Sequence, residues 1–219
     1  QLKQDAASIF EKESLKTYSP KFLHMLENIL DENHQGLHLV YSQFRTLEGI
    51  GIFKLILEHH GFVQFKLKKT GAGETKLDIN DEDKGKPMFG LYTGTETEDE
   101  KEIIRRVYNS EWENIPSSLK EDLETISSNN YKGEIMKVIL ITASGAEGIS
   151  LKNCRYVHIT EPYWHPVRTD QVIGRARRLC SHQNLEPELR NVQVFLYVMK
   201  LSKELIESDK TLELRLHDK

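Results

Sequence analysis

Cysteine is scarce in this chain, which holds only two, Cys154 and Cys180, among 219 residues. Two cysteines cannot form the disulfide framework of a small secreted protein, so we expect an intracellular, reducing compartment. Long apolar runs are also missing, because the longest, at 138–141 and 194–199, have only the length of a strand. We therefore expect no signal peptide and no membrane partner. The chain begins at Gln1 rather than Met, which favours a piece excised from a longer protein.

The two common glycine motifs for nucleotide phosphates are missing as well. A P-loop reads G-x-x-x-x-G-K-S/T, but here Gly85-Lys86 is followed by Pro87 and lacks the leading glycine. A dinucleotide fingerprint would place G-x-G-x-x-G after a strand, whereas Gly71-Ala-Gly73 lies in a polar stretch. These absences exclude a chain that cradles ATP alone and argue against a Rossmann-type enzyme.

A strong basic excess is also absent, since the net charge is −4 and the pI is about 6.2. Acidic residues concentrate at 78–83 and 96–102. The last third of the chain instead carries a group of arginines: Arg168, Arg175, Arg177, Arg178 and Arg190. We expect contacts with a phosphate backbone to be local, made by hydroxyls, amides and a few cations.

An apolar, β-branched run ending at Thr142 predicts a buried parallel strand. Gly145 and Gly148 follow it and let a ligand approach the backbone. In open α/β sheets, ligands bind at this carboxyl end of the strands.

The stretch Gln171-Val-Ile-Gly-Arg-Ala-Arg-Arg178 follows on a predicted helix over 167–179. Arg175 and Arg178 are one turn apart, so two planar guanidinium groups would face one polyphosphate together, and Gly174 beside Arg175 keeps the backbone free of a side chain. In isolation, R-x-x-R is typical of a solvated basic helix end. The glycine-bearing strand end upstream favours phosphate chemistry.

Strands and helices alternate along the sequence, which predicts an α/β fold of three layers with a largely parallel sheet and helices on both faces. The predicted strands are 37–41, 62–67, 136–142, 156–160 and 192–198, and the predicted helices are 47–59, 98–109 and 167–179. Thr97 and Glu100 form an expected capping box. Polar insertions are expected near 68–87 and 115–133 within a domain over 19–200, with a connecting segment at 1–18 and a charged tail at 201–219.

Two local patterns imitate metal sites. Asp31-Glu-Asn-His34 has the D-E-x-H form of a magnesium box, but it follows helical spacing that begins with Ser19-Pro20, so we interpret it as the polar end of a helix. Cys180-Ser-His182 lacks a four-ligand set and predicts no zinc site.

In order along the chain, several blocks resemble the motifs of superfamily-two helicases and translocases. His38 to Gly49, with V-x-S-Q-F, resembles motif IV; the block from Leu91 resembles the L-x-G block that follows it. Thr142 to Ser150 resembles motif V, and 171–178 matches the Q-x-x-G-R-x-x-R of motif VI. Trp164-x-Pro166 stands where Swi/Snf-type ATPases carry W-N-P. The amino-acid sequence of these blocks is most similar to helicase-like proteins of large DNA viruses, some of which serve in early transcription.

The resemblance implies the C-terminal RecA-like lobe of an ATP-dependent helicase or translocase. It implies catalytic roles for Gln171 and for two arginine fingers, Arg175 and Arg178. The ATP-binding positions it implies are Gly148, Ser150 and Gly174, and the nucleic-acid contacts are Thr142, Ser42 and Gln43. Ser150 departs from the Asp or Asn of many relatives. Trp164 either couples the nucleic acid to the ATP site or is a half-buried core aromatic.

The expected partners are nucleic acid, with DNA favoured over RNA, a missing N-terminal RecA-like lobe of the same protein, and transcription machinery. That lobe would hold most of the ATP and the Mg2+, so this chain alone is expected to be inactive. The expected location is a virion, host cytoplasm or nucleus. The alternative is a non-catalytic helicase-like docking module in a viral transcription complex.

Overall fold

A computed structural model describes residues 6–46, 49–71, 73–145, 148–163 and 165–200. Its helices are α1 (Ala6–Ile9), α2 (Lys12–Tyr18), α3 (Pro20–Leu30), α4 (Ile50–His59), α5 (Glu98–Tyr108), α6 (Ser117–Glu124) and α7 (Pro166–Ala176). Its strands are β1 (Leu37–Ser42), β2 (Val63–Gln64), β3 (Leu67–Lys69), β4 (Thr75–Leu77), β5 (Met88–Tyr92), β6 (Met136–Thr142), β7 (Cys154–Ile159) and β8 (Gln193–Leu196).

Six of the strands form one parallel sheet in the order β2-β5-β6-β1-β7-β8. In its centre, Ser42 is level with Thr142, so β1 and β6 end side by side. The strands β3 and β4 form a separate antiparallel hairpin. The predicted α/β class and the parallel sheet are confirmed, and the carboxyl ends of the strands lie along one edge.

Successive side chains point to opposite sides of a strand, and helices cover both sides of the sheet. Both faces of the central strands are therefore buried. Leu39 and Ile139 belong to one core cluster, beneath α5, α6 and α7. Val40 and Leu140 belong to the other, beneath α3 and α4. Each such side chain contributes about 2 kcal/mol when withdrawn from water. The two cores hold the central strands, and so their carboxyl ends, in fixed positions.

Most predicted elements are present, with differences at their ends. The capping box is confirmed, because the Thr97 side chain accepts from the Glu100 N–H and the Glu100 carboxylate accepts from the Thr97 N–H. The predicted strand over 62–67 was too long, since β2 has only two residues. The predicted helix over 167–179 was also too long: α7 ends at Ala176, and Arg177 has a non-helical ψ of 67°. The imitation magnesium box does follow a helix, α3, which ends at Leu30.

The two polar insertions pack against each other. The Leu77 N–H in β4 donates to Asp122 of α6 at 3.1 Å, and the Ser118 hydroxyl donates to the Thr75 carbonyl at 2.9 Å. Leu77 and Leu119 are buried in the first core cluster. The hairpin is otherwise largely exposed, as expected of a polar insertion, and Leu77 is the residue that packs beneath α6.

The expected connecting segment contributes to the second core through Phe10 and Leu15. The tail at 201–219 and Trp164 lie outside the described residues. Among the helices that are described, none combines the length and the apolar character that crossing a bilayer would need.

Candidate functional site

The carboxyl ends of β1 and β6 and the inner side of α7 enclose a cavity of about 330 Å3. It is lined by Tyr41, Ala143, Ser144, Arg168, Gln171, Val172 and Arg175. Three of these residues come from the ends of β1 and β6 and four from α7, so the fold brings together three separate segments of the sequence. Two of the lining residues are arginines and none is a carboxylate, so the cavity suits an anion.

Helix α7 positions its polar side chains by burying its apolar ones. It begins at Pro166, whose fixed φ suits a first helical position. Val172 and Ala176 are buried in the first core and fix the rotation of the helix. Residues spaced three or four apart share a helix face, so Gln171 and Arg175 both reach the cavity.

Arg175 is the partly buried cation of this cavity. Its Nε is buried and has no hydrogen-bond partner. Among the residues that the structure describes, no carboxylate forms an ion pair with it. A buried donor without a partner lowers the stability of the fold by about 1–3 kcal/mol. Such a group in a native structure calls for an explanation, and a ligand that pairs with it is one.

Arg178 lies beyond the end of α7 and contacts the segment that follows Gly148. Its guanidinium donates to the Ile149 carbonyl at 3.3 Å, and the Leu151 N–H donates to the Arg175 carbonyl at 3.1 Å. The prediction that Arg175 and Arg178 lie on one helix was wrong, because α7 ends between them. That both guanidinium groups face one polyphosphate stays a prediction. Arg178 instead ties motif VI to the segment after Gly148.

The glycines beside these arginines are exposed. Gly148 has a φ of +78°, a conformation that L side chains rarely adopt. A Cβ built on Gly174 meets no atom within 4 Å, so α7 offers a bare surface there. Ser150 is half-buried, and its carbonyl accepts from Asn109 at 2.9 Å.

A hydrogen-bonded clasp follows Arg178 and was missed by the sequence analysis. The Ser181 hydroxyl donates to the Arg178 carbonyl at 2.8 Å and also lies 2.8 Å from His182 Nδ1. The other ring nitrogen of His182 donates to the Cys154 carbonyl at 2.8 Å. The clasp fixes the turn after α7 to the start of β7. The signal was the cluster Cys180-Ser-His182, which sequence reasoning considered only as a metal pattern.

Ser42 and Gln43 are held by Glu161, a residue that the sequence analysis also missed. The Ser42 hydroxyl donates to a Glu161 carboxylate oxygen at 2.9 Å, and the Gln43 N–H donates to the same oxygen at 2.9 Å. Ser42 is only 1% exposed, so its hydroxyl shapes the turn from inside. The side chain of Gln43 is half-buried and remains near the surface.

Thr142 is likewise buried, and its hydroxyl lies 3.0 Å from the Ser144 hydroxyl, which is exposed. A Cβ built on Gly94 would lie 3.2 Å from Ser144 Oγ and 3.7 Å from an Arg45 guanidinium nitrogen. The ends of β1, β5 and β6 therefore form a surface with a hydroxyl, an arginine and a glycine. Sequence reasoning had named Thr142, Ser42 and Gln43 at these strand ends, but not Ser144, Arg45 or Gly94, which lie in separate loops.

The Tyr41 hydroxyl on the cavity wall is protonated at neutral pH. Burial raises the pKa of the Tyr41 hydroxyl, so it remains a neutral donor. The described ranges contain no group of three or more His, Cys, Asp or Glu side chains that could hold a metal ion.

Comparison with known proteins agrees with this arrangement. Residues 75–180 match the family described as "Helicase conserved C-terminal domain". A presumed ATP-dependent RNA helicase of Acanthamoeba polyphaga mimivirus is 33% identical over 184 residues, which cover 84% of this chain and 26% of that protein. A termination factor NPH-I homologue of African swine fever virus is 31% identical over 232 residues, covering 93% of this chain and 30% of that protein.

This chain therefore spans less than a third of the length of these relatives. The solved C-terminal part of the Fun30 ATPase domain aligns with 89% of this chain and 48% of its own, at a TM-score of 0.47 and 13% identity. The fold assignment rests on the parallel sheet itself. The motifs, the cavity at the strand ends and the matched region lead to one conclusion: this chain carries a helicase conserved C-terminal domain and is similar to helicase-like proteins of large DNA viruses.

Proposed function

We propose that this chain is the C-terminal RecA-like lobe of a superfamily-two, ATP-dependent helicase or translocase that acts on nucleic acid, with DNA favoured. One observation carries the proposal. Arg175 lines a cavity at the carboxyl ends of the strands, and no Asp or Glu is among the residues that line it. The side chain of Arg175 is partly buried, and its Nε has no hydrogen-bond partner. A guanidinium in that position is suited to the charge that develops on a transferred phosphoryl group.

The proposed roles follow from the position of each side chain. Arg175 acts as the arginine finger, and Gln171, on the same face of α7, orients the attacking water or contacts the γ-phosphate. Arg178 contributes by holding the Ile149 carbonyl, which fixes the backbone beside Gly148. Gly148, Ser150 and Gly174 give the nucleotide or the facing lobe close access to backbone.

The proposed nucleic-acid surface lies along the same edge of the sheet. Gln43, Arg45 and Ser144 supply an amide, a cation and a hydroxyl for phosphate oxygens, which are the groups that contact a nucleic-acid backbone without reading its sequence. Ser42 and Thr142, being buried, support this surface from below. Closure of two lobes on ATP would then move a bound strand.

The P-loop and the carboxylates for Mg2+ belong to an N-terminal lobe in this proposal. The described residues contain no candidate metal group, and the sequence contains no P-loop. The African swine fever virus relative is named as a termination factor homologue, which supports transcription machinery as a partner. A non-catalytic docking module in such a complex is the alternative, and the experiment below separates the two.

The test uses the full-length protein and three single substitutions. Arg175→Ala should lower the kcat for ATP by roughly 10³-fold, the scale of a lost arginine finger. Arg178→Ala should have a smaller effect, because its contact is with the Ile149 carbonyl rather than with the cavity. Arg177→Ala is the matched control, since Arg177 is exposed and lines no part of the cavity. Single-turnover ATPase assays with saturating DNA measure all three.

Equal and small effects of the three substitutions would favour the docking module. A second arm measures the isolated chain, which should hydrolyse ATP negligibly and bind DNA weakly, with an affinity that falls steeply with salt. Rapid DNA-stimulated turnover by the isolated chain would contradict the single-lobe proposal.

A further inference from the structure

Arg168 lies at the junction between the cavity and the proposed nucleic-acid surface. Like Gln171 and Arg175, it lines the cavity. It lies on the same face of α7, one turn before Gln171. It also reaches across to the end of β1, where its Nη1 donates to the Gln43 side-chain oxygen at 3.3 Å. Arg168 therefore adjoins both regions, and its guanidinium contacts Gln43.

The resting position of Arg168 is held by weak contacts. Its guanidinium carbon lies 4.6 Å from the centre of the Tyr163 ring, a cation–π geometry that contributes about 0.5–1 kcal/mol at an exposed site. The hydrogen bond to Gln43 is long, beyond the usual range for N–H···O. Within the described part of the chain, Arg168 forms no ion pair with a carboxylate. Its side chain is exposed, so it has room to turn toward the cavity.

Gln43, in contrast, is attached to a fixed part of the fold. Its N–H donates to Glu161, which also holds Ser42. Its side-chain nitrogen lies 3.5 Å from the Glu161 carbonyl, so only the amide end is loosely held. A phosphate that recruits this amide would take it from Arg168, because the side-chain oxygen and nitrogen turn together.

We propose that Arg168 is a second phosphate-binding cation of the nucleotide cavity, and that Gln43 restrains it until nucleic acid binds. This inference rests on the proposed function of the cavity. When nucleic acid recruits the Gln43 amide, Arg168 is released and its guanidinium binds the polyphosphate beside Arg175. Occupancy of the nucleic-acid surface thereby raises the affinity of the cavity for ATP.

The test is a double-mutant cycle in the full-length protein, with the KM for ATP measured without and with a single-stranded DNA oligonucleotide. Arg168→Ala should raise the KM with DNA by roughly tenfold, the worth of one charge-assisted hydrogen bond. Gln43→Ala should lower the KM without DNA by roughly threefold, as expected when a weak tether is removed. In the Arg168→Ala background, Gln43→Ala should no longer change the KM.

Arg177→Ala is the control and should leave both KM values unchanged. Arg168→Lys keeps the charge and should restore most of the affinity for ATP with DNA, which a loss of folding would not allow. An effect of Gln43→Ala that persists without Arg168 would overturn the inference, as would an Arg168→Ala variant with normal KM. If Arg175→Ala abolishes turnover while Arg168→Ala changes nothing, only this inference fails; if neither changes turnover, the proposed function fails.

Discussion

A chain of buried side chains in the second core predicts that this domain loses stability in mild acid. His158 Nε2 lies 3.0 Å from His38 Nδ1, and His158 Nδ1 lies 2.7 Å from the Tyr197 hydroxyl, which accepts from Asn28 at 2.9 Å. These three contacts are satisfied when both imidazoles are neutral: Asn28 donates to Tyr197, Tyr197 to His158, and His158 to Nδ1 of His38, whose buried Nε2 has no partner among the described residues. An added proton on His158 Nδ1 would face the hydroxyl proton of Tyr197.

Burial lowers the pKa of His158 from 6.5 to about 3, and the pKa of His38 is lowered well below its usual value for the same reason. In mild acid, His158 and His38 therefore bind protons in the unfolded chain but not in the folded chain. Stability is fully present above about pH 6.5 and is lost as the pH falls toward 3. At pH 5, the loss from His158 alone is about 2 kcal/mol, and His38 adds to it.

Urea unfolding of the 219-residue chain between pH 7.5 and 5 measures this loss. His158→Phe keeps a ring stacked beside Phe195 but cannot take up a proton, so its stability should fall less steeply with acid, by up to about 1.4 kcal/mol per pH unit. The reasoning is wrong if wild type and His158→Phe lose stability equally, or if NMR titration shows His158 protonated at pH 5.

Three further substitutions test the site. Gly145→Ala should destabilise the domain by about 3 kcal/mol in urea unfolding, because its Cβ would lie 2.1 Å from the Tyr92 carbonyl oxygen; a loss under about 1 kcal/mol would contradict the close approach. Gly174→Ala, where a Cβ meets nothing, should stabilise the isolated chain by about 1 kcal/mol yet lower kcat for ATP in the full-length protein; unchanged kcat would remove Gly174 from the facing surface. His182→Ala should lower kcat with little change in the KM for ATP, because it opens the clasp to the Cys154 carbonyl and loosens the arginines; a change in KM alone would refute that role.

The alternation of apolar strands and amphipathic helices was enough to predict the parallel sheet. Strand β6 was predicted at 136–142 and lies there, because an apolar, β-branched run has no stable place except between two layers. The helix start at Thr97 was also predictable, since a capping box uses only neighbouring residues. Gln171 and Arg175 were named as site residues from the resemblance to motif VI, and both line one cavity in the structure.

Other features depended on contacts between distant segments. Glu161 holds Ser42, 119 residues earlier, and only the packing of β1 beside β7 brings them together. Arg178 does not lie on the cavity face of α7 as predicted, because the helix ends at Ala176 and the backbone turns at Arg177. Tertiary contacts to 149–151 outweigh helix propensity there. The sequence by itself determined the local elements and the types of side chain at the strand ends, since these follow from short-range periodicity. The tertiary structure decided which of those side chains are buried supports and which face the cavity, because burial depends on residues that are remote in the chain.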